Sequence, residues 1–243
     1  MLTFGISNVF AEVTVQNDQQ YIGDDGAFHI VGEIENKLES PLNQVSVFVT
    51  LYDENKNVVM TKETRSLVNI IMPEMRGPFD FVFPDIRTDR IKSYSLDLDY
   101  SISEPKGQAI SIKSSEMSRD SHNNLIISGN VENNGDITAN TVAVIATLYD
   151  RNGNVAAVSR IHPEPDYLGS DDDTFFVVPV LDKNQVSGVT DYSIVAESEE
   201  YAAVPEFPFG SMVLLAISVS AYVGITRYSN KIITNLISVT NPK

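Results

Sequence analysis

Two runs of oxygen-bearing residues, Asp53-x-Asn55-x-Asn57 and Asp150-x-Asn152-x-Asn154, have the spacing with which a calcium loop opens. Such a loop also needs a glycine at its sixth position and a bidentate glutamate at its twelfth. Val58 and Val155 hold the sixth positions, and Thr64 and Ile161 the twelfth. A tight turn accounts for both runs, because Asp and Asn bond their own backbone and tolerate left-handed conformations. A second acidic group, Glu164, Asp166, Asp171, Asp172 and Asp173, offers the oxygens that a hard cation accepts. Successive strand residues point to opposite sides, so this group reads first as a solvated loop and second as a cation-binding one. The stretch "IGDDGAF" near the start is a turn of the same sort.

Other chemistry is thinly supplied. His29, His122 and His162 are the only histidines, and their spacing suggests neither a catalytic triad nor a zinc site. The chain has no cysteine, which removes disulfides, thiol nucleophiles and thiolate metal sites, cupredoxin-type copper included. It has no glycine-rich phosphate loop and no basic patch interleaved with aromatics. The formal net charge of −16 repels nucleic acid and anionic surfaces and attracts cations or basic partners. The expectation is a protein that is not an enzyme, holds no cofactor and binds no nucleic acid.

The elements that would position these residues come in two copies. Sliding the chain by 97 residues lays Gly32–Val58 on Gly129–Val155 without a gap. Glu35, Asn36 and Asn43 fall on Glu132, Asn133 and Asn140, and Thr50-Leu51-Tyr52-Asp53 on Thr147-Leu148-Tyr149-Asp150. In "VSVFVTLYD", Val45, Val47, Val49 and Leu51 alternate with Ser46, Phe48, Thr50 and Tyr52, the period of a half-buried strand. Val142, Val144, Ala146 and Leu148 form the matching inward set. Further strands are expected at Phe79–Phe83, Tyr94–Tyr100, Phe175–Val180 and Tyr192–Ser198, with helix-period segments absent before residue 205.

Many short strands in each copy predict an all-β chain of two tandem immunoglobulin-like sandwiches, residues 12–103 and 107–200. The linker between them is expected at Ser101–Gln108, where Pro and Gly break the strand pattern.

Both ends depart from this pattern. "MLTFGISNVFA", residues 1–11, has the apolar body and small-residue end of a signal peptide without its basic start, and reads as a remnant of one. After a linker at 201–210, the segment 211–227 is apolar, with no charge from Ser211 to Thr226 and with Arg227 and Lys231 following. That length is at the short end of a membrane span. The basic residues place the tail, 228–243, inside and the acidic repeats outside. No Asn-x-Ser/Thr acceptor occurs anywhere.

Two family resemblances follow from these residues. "VTLYDENKNVV" and "ATLYDRNGNVA" resemble the FxLYD domain, a small β-sandwich of prokaryotic secreted and membrane-anchored proteins. The family's Phe falls on Val49 and Ala146, and the resemblance implies no catalytic residues. Pro205-Glu206-Phe207, the apolar run and Arg227 are similar to an archaeal PEF-type sorting signal, in the "PEFPF" version of ammonia-oxidising archaea. That resemblance implies processing by an archaeosortase, although the tail to Lys243 runs on where the family stops. The combined expectation is a non-enzymatic surface protein anchored in the cytoplasmic membrane, structural or adhesive, with other envelope proteins as partners. An accessory subunit that presents a cation or solute to a membrane complex is the alternative, resting on the acidic group at Glu164–Asp173.

Overall fold

The computed structural model describes residues 12–122, 124–180 and 183–204. The expected signal remnant at 1–11, the motif Pro205-Glu206-Phe207, the segment 211–227, Arg227, Lys231 and the tail 228–243 lie outside the described residues. Among the described residues no helix is long and apolar enough to cross a membrane.

The chain is all-β and its strands pair antiparallel. The first repeat carries β1 (Val13–Ile22), β2 (Phe28–Asn36), β3 (Leu42–Tyr52), β4 (Val58–Arg65), β5 (Ile70–Ile71), β6 (Arg76–Phe83) and β7 (Ser93–Ile102). The second carries β8 (Ile110–Arg119), β9 (Leu125–Asn133), β10 (Ala143–Asp150), β11 (Val155–Ile161), β12 (Asp173–Val180) and β13 (Val189–Glu197). One sheet of the first repeat has the order β1-β2-β6; in the other, β3 lies between β4 and β7 and also pairs with β5. The second repeat has β8-β9-β12 and β11-β10-β13. Helical turns are brief: a 3-10 turn at Thr88–Arg90 and α1 (Lys183–Val186).

The registers repeat with the sequence. Tyr52 pairs with Val58 and Leu51 with Met60 across a bulge, as Tyr149 pairs with Val155 and Leu148 with Ala157. Phe28 opposes Phe83 as Leu125 opposes Val180. In the last strand of each set the match slips by one residue, so Tyr94 opposes Leu51 where Tyr192 opposes Leu148.

Alternation builds both cores. Val45, Val47, Val49 and Leu51 on β3 are buried with Phe28, Ile30 and Ile34 of β2 and Phe79, Phe81 and Phe83 of β6. Each such side chain contributes about 1.5–3 kcal/mol by leaving water. Gly32 lets the Phe79 ring pack close against β2, since a Cβ there would meet it at 2.7 Å. Asn36 and Asn133, identical in the two copies, are sealed in equivalent corners. Asn36 donates to the carbonyls of Ser40 and Ile71, and Asn133 to those of Ile137 and Leu168. A buried amide so satisfied fixes the path of the loop around it.

Two expectations about boundaries shift. Strand β7 continues to Ile102, into the stretch expected to be linker. At the other end Tyr201, Ala202 and Ala203 are buried, although the linker was expected to begin there. The Ala202 N–H donates to the Gly107 carbonyl at 2.8 Å, and the Tyr201 ring lies over Gly135, where a Cβ would leave no room.

The described residues form one compact unit. The apolar cluster of the first repeat also takes in Ala143, Ile145, Val195 and Ala203 of the second. Ala143 and Ile145 alternate with the inward set of β10, so this strand is buried on both faces.

Candidate functional site

The Asp-x-Asn-x-Asn runs are turns that consume their own oxygens. Asp53 accepts the N–H groups of Asn55 and Asn57, each at 2.8 Å, and Asp150 those of Asn152 and Asn154. Asp120 makes the same turn with His122 and Asn124, so the device recurs at three hairpins. The hydrogen bonds of the turn hold the carboxyls of Asp53, Asp120 and, against slight burial, Asp150 below their ordinary value.

The acidic loop is spread out. Asp166 and Asp172 lend backbone carbonyls to Val142 and Asn133, and the Asp171 N–H donates to the Asn133 carbonyl. Asp173 pairs with Lys113 at 3.0 Å and accepts from Asn130, which hold its carboxyl low. Glu164, Asp166, Asp171 and Asp172 are exposed. Among the described residues no three His, Asp or Glu side chains converge as metal ligands. The histidines stand apart: His162 bonds the Val142 carbonyl, and His122 lies beside Ser121.

The structure instead brings ionisable groups together at the seam between the repeats. Glu33 points outward from β2 toward the second repeat and is sealed from solvent. Arg76 Nη1 lies 3.6 Å from it, while Tyr149 of β10 and Asn17 of β1 stand near. None of them closes a hydrogen bond of ordinary geometry to its oxygens. Burial pushes the Glu33 carboxyl up, with Arg76 opposing. Burial beside Glu33 likewise pushes the Tyr149 hydroxyl up. Glu197, from β13, is the counterpart on the other side. It accepts the Asn69 N–H at 2.9 Å and pairs with Arg160 at 3.1 Å, and Arg160 also donates to the Leu67 carbonyl. Burial raises the Glu197 carboxyl too, against the pull of Asn69 and Arg160.

A cavity of about 290 Å³ opens along the same seam. Tyr21, Asp25, His29 and Asp80 of the first repeat face Val158 and Ser159 of the second across it. His29 Nδ1 is 3.1 Å from Asp80, and Tyr21 stacks on the imidazole at 4.8 Å between centroids. Burial raises the Asp80 carboxyl, and His29 opposes the shift. A histidine, an aspartate and a serine around one cavity are the residue types of a triad. Their arrangement differs: His29 Nε2 faces Asp25 at 3.9 Å, and no hydrogen bond joins it to Ser159. These contacts of His29 with Asp80, Asp25 and Tyr21 all lie on the first repeat's side of the cavity.

Sequence reasoning missed Glu33, Arg76, Tyr149, Arg160 and Glu197. The signal available was the contrast between copies, since Ile145 and Val195 stand where the first repeat has Phe48 and Asp97.

No protein-family model and no curated protein matches the chain. Among solved structures it is similar to an exo-chitosanase from Amycolatopsis orientalis at 10% identity and a TM-score of 0.27, over 80% of this chain and 26% of that one. It is similar to red sea bream transglutaminase at 9% identity and a TM-score of 0.26, over 83% of this chain and 32% of that one. The chain thus spans about a quarter to a third of the length of these structures.

Proposed function

We propose that the chain is a non-enzymatic cell-surface protein whose role in the envelope is structural or adhesive. Two tandem immunoglobulin-like sandwiches stand outside the cytoplasmic membrane, held by the segment 211–227. The observation that carries this reading is the change of composition beyond Val204. Acidic residues end at Glu206, charge vanishes from Ser211 to Thr226, and Arg227 and Lys231 follow. Paired antiparallel sheets and a seam that fuses the repeats into one unit suit a module that bears contacts. Pro205-Glu206-Phe207 is the address at which an archaeosortase cuts in this reading.

Protease added to intact cells tests the placement, since Asp171, Asp172 and Asp173 are exposed and lie outside. Cleavage there in intact cells is expected, and protection until lysis would reverse the orientation. Intact mass of envelope-extracted protein tests the processing. The loss of everything after the motif is expected, and a recovered peptide from Tyr228–Lys243 would show an uncleaved anchor.

A further inference from the structure

The seam joins one surface of the first repeat to a different surface of the second, so each repeat retains the half it does not use. The first repeat uses the outer face of β1-β2-β6, where Val31 and Glu33 are sealed. Pro78 on β6 is buried as well. Their equivalents on β8-β9-β12 are Ser128, Asn130 and Phe175, and there Phe175 is 58% and Val177 41% exposed. The second repeat uses β11, where Val155, Ala156 and Ala157 are 0%, 1% and 4% exposed. Their equivalents on β4, Val58, Val59 and Met60, are 62%, 39% and 42% exposed. On β4 and β11 the chain keeps apolar residues in both copies, yet only the second copy covers them. On the other pair of surfaces Ser128 and Asn130 replace Val31 and Glu33, and the exposed apolar residues of β12 are Phe175 and Val177. Strand β4 is also an edge of its sheet, and its charges, Lys62, Glu63 and Arg65, fall in its second half and leave Val58–Met60 uncharged.

We infer that a second copy of the chain covers these surfaces. The outer face of β8-β9-β12 in one copy packs on β4 of the next, repeating between molecules the seam that joins the repeats within one. Because the two surfaces differ, the contact is heterologous, and copies add head to tail instead of closing a two-fold dimer.

Charge grades this contact. Beside β4, Lys62, Arg87 and Arg90 line a groove of about 470 Å³ together with Asp85, Met60, Phe83 and Ile86, and Arg87 is paired with Asp89. Gln19, whose amide donates to the Val155 carbonyl in the internal seam, has Glu116 as its equivalent. Glu116 therefore comes to the basic end of β4. At the opposite end Arg160 becomes Glu63, while Leu67 and Asn69 become Glu164 and Asp166. Glu197 becomes Asp99 and Val195 becomes Asp97, so four carboxylates meet there with a fifth beside them. The contact between copies is therefore weaker than the internal seam and strengthens as salt screens them.

The inference rests on reading the chain as a two-module structural protein, but its test needs no particular location. The chain lacks cysteine, so introduced thiols are unique. Met60→Cys and Val177→Cys are the equivalents of Ala157 and Asp80, which line one cavity in the internal seam. The purified full chain carrying both is treated with a short bismaleimide at about 1 M salt, where screening acts within about 3 Å. A ladder of dimers, trimers and longer species is expected. Each single variant alone should stay monomeric, and the two mixed should yield dimers and nothing longer. Adding Val59→Glu, at an exposed position, should cut the ladder at least tenfold. A double variant that stays monomeric, single variants that dimerise alone, or a ladder indifferent to Val59→Glu would each overturn the inference. Membrane placement is read separately on cells, so either result can fail without the other.

Discussion

The carboxylate of Glu197 accepts the backbone N–H of Asn69 at 2.9 Å, which locks the last strand of the second repeat to a loop of the first. Arg160 completes the grip by pairing with Glu197 and donating to the Leu67 carbonyl. Glu33 lies on the same seam with a poorer set of partners, its carboxylate in a loose ion pair with Arg76 at 3.6 Å and near Tyr149, with no hydrogen bond of ordinary geometry to either. Two buried carboxylates, one from each repeat, therefore stand in unequal surroundings, and they should answer differently to substitution.

The first prediction concerns pH. Burial raises the carboxyls of Glu33 and Glu197, so each favours the folded state below about pH 4.5, the ordinary value, and withdraws that support as pH rises through its raised value. Glu33→Gln imitates the protonated form in the same volume. It should raise the thermal midpoint above about pH 5 and flatten the slope there relative to the parent chain. Carboxyls held low, such as Glu35 and Glu200, pull the other way but cancel in the difference between the two proteins. Glu197→Ala should act in the opposite sense, because it strands Arg160 and leaves the Asn69 N–H without its acceptor. Removing one partner of a buried pair costs about 3–5 kcal/mol, measurable by urea denaturation. A loss at Glu33→Gln equal to that at Glu197→Ala would refute the unequal settings.

Part of this arrangement was legible from residue pattern and part was not. The alternation from Val45 to Leu51 identified the inward face of β3, and all four inward residues are sealed or nearly so. The same reading of Val142–Leu148 found the inward set and passed over Ala143 and Ile145 between its members. A strand apolar at consecutive positions is covered on both sides, and here the other cover is the first repeat. Matching the copies by their identities drew attention away from where they differ, and the differences mark the seam. Glu33 and Glu197 carry no local signature at all, because their partners come from distant parts of the chain. The Asp-x-Asn-x-Asn runs were legible as turns, since that hydrogen bonding is local. The acidic loop could be read only as a composition, because its shape depends on Asn133 and Lys113 on other strands.

The second prediction uses the glycine shared by β2 and β9. At Gly32 a Cβ would meet the Phe79 ring at 2.7 Å and the Asp18 side chain at 2.9 Å, both of which can shift. At Gly129 it would meet the Ser114 backbone carbonyl at 1.9 Å, and a paired strand cannot move aside. Gly32→Ala should therefore cost about 1–3 kcal/mol, the usual range for overpacking. Gly129→Ala should cost more and should distort the β8–β9 pairing, visible as lost amide protection at Ser114 and Ser115. Equal losses at the two sites would show that β8 yields as easily as a ring.

The last prediction puts a residue of the first repeat into the seam. Val195 is nearly buried against the first repeat, and the equivalent place on β7 holds Asp97, which faces solvent. Both stand on strands paired in the same way, Val195 opposite Ile145 and Asp97 opposite Phe48. The backbone at this position thus accepts either side chain, and only the cover differs. In the whole chain Val195→Asp buries a carboxylate near Glu197 with no cation added for it, and should destabilise markedly. In a fragment of residues 107–204 the same position lies in water, so the substitution should leave its stability unchanged and improve its solubility. Calorimetry of both proteins, each with and without the substitution, reads the contrast directly. A penalty of equal size in fragment and whole chain would mean that Val195 is buried by its own repeat. A penalty confined to the whole chain locates its cover in the first repeat, where the cluster around Val68 and Phe79 places it.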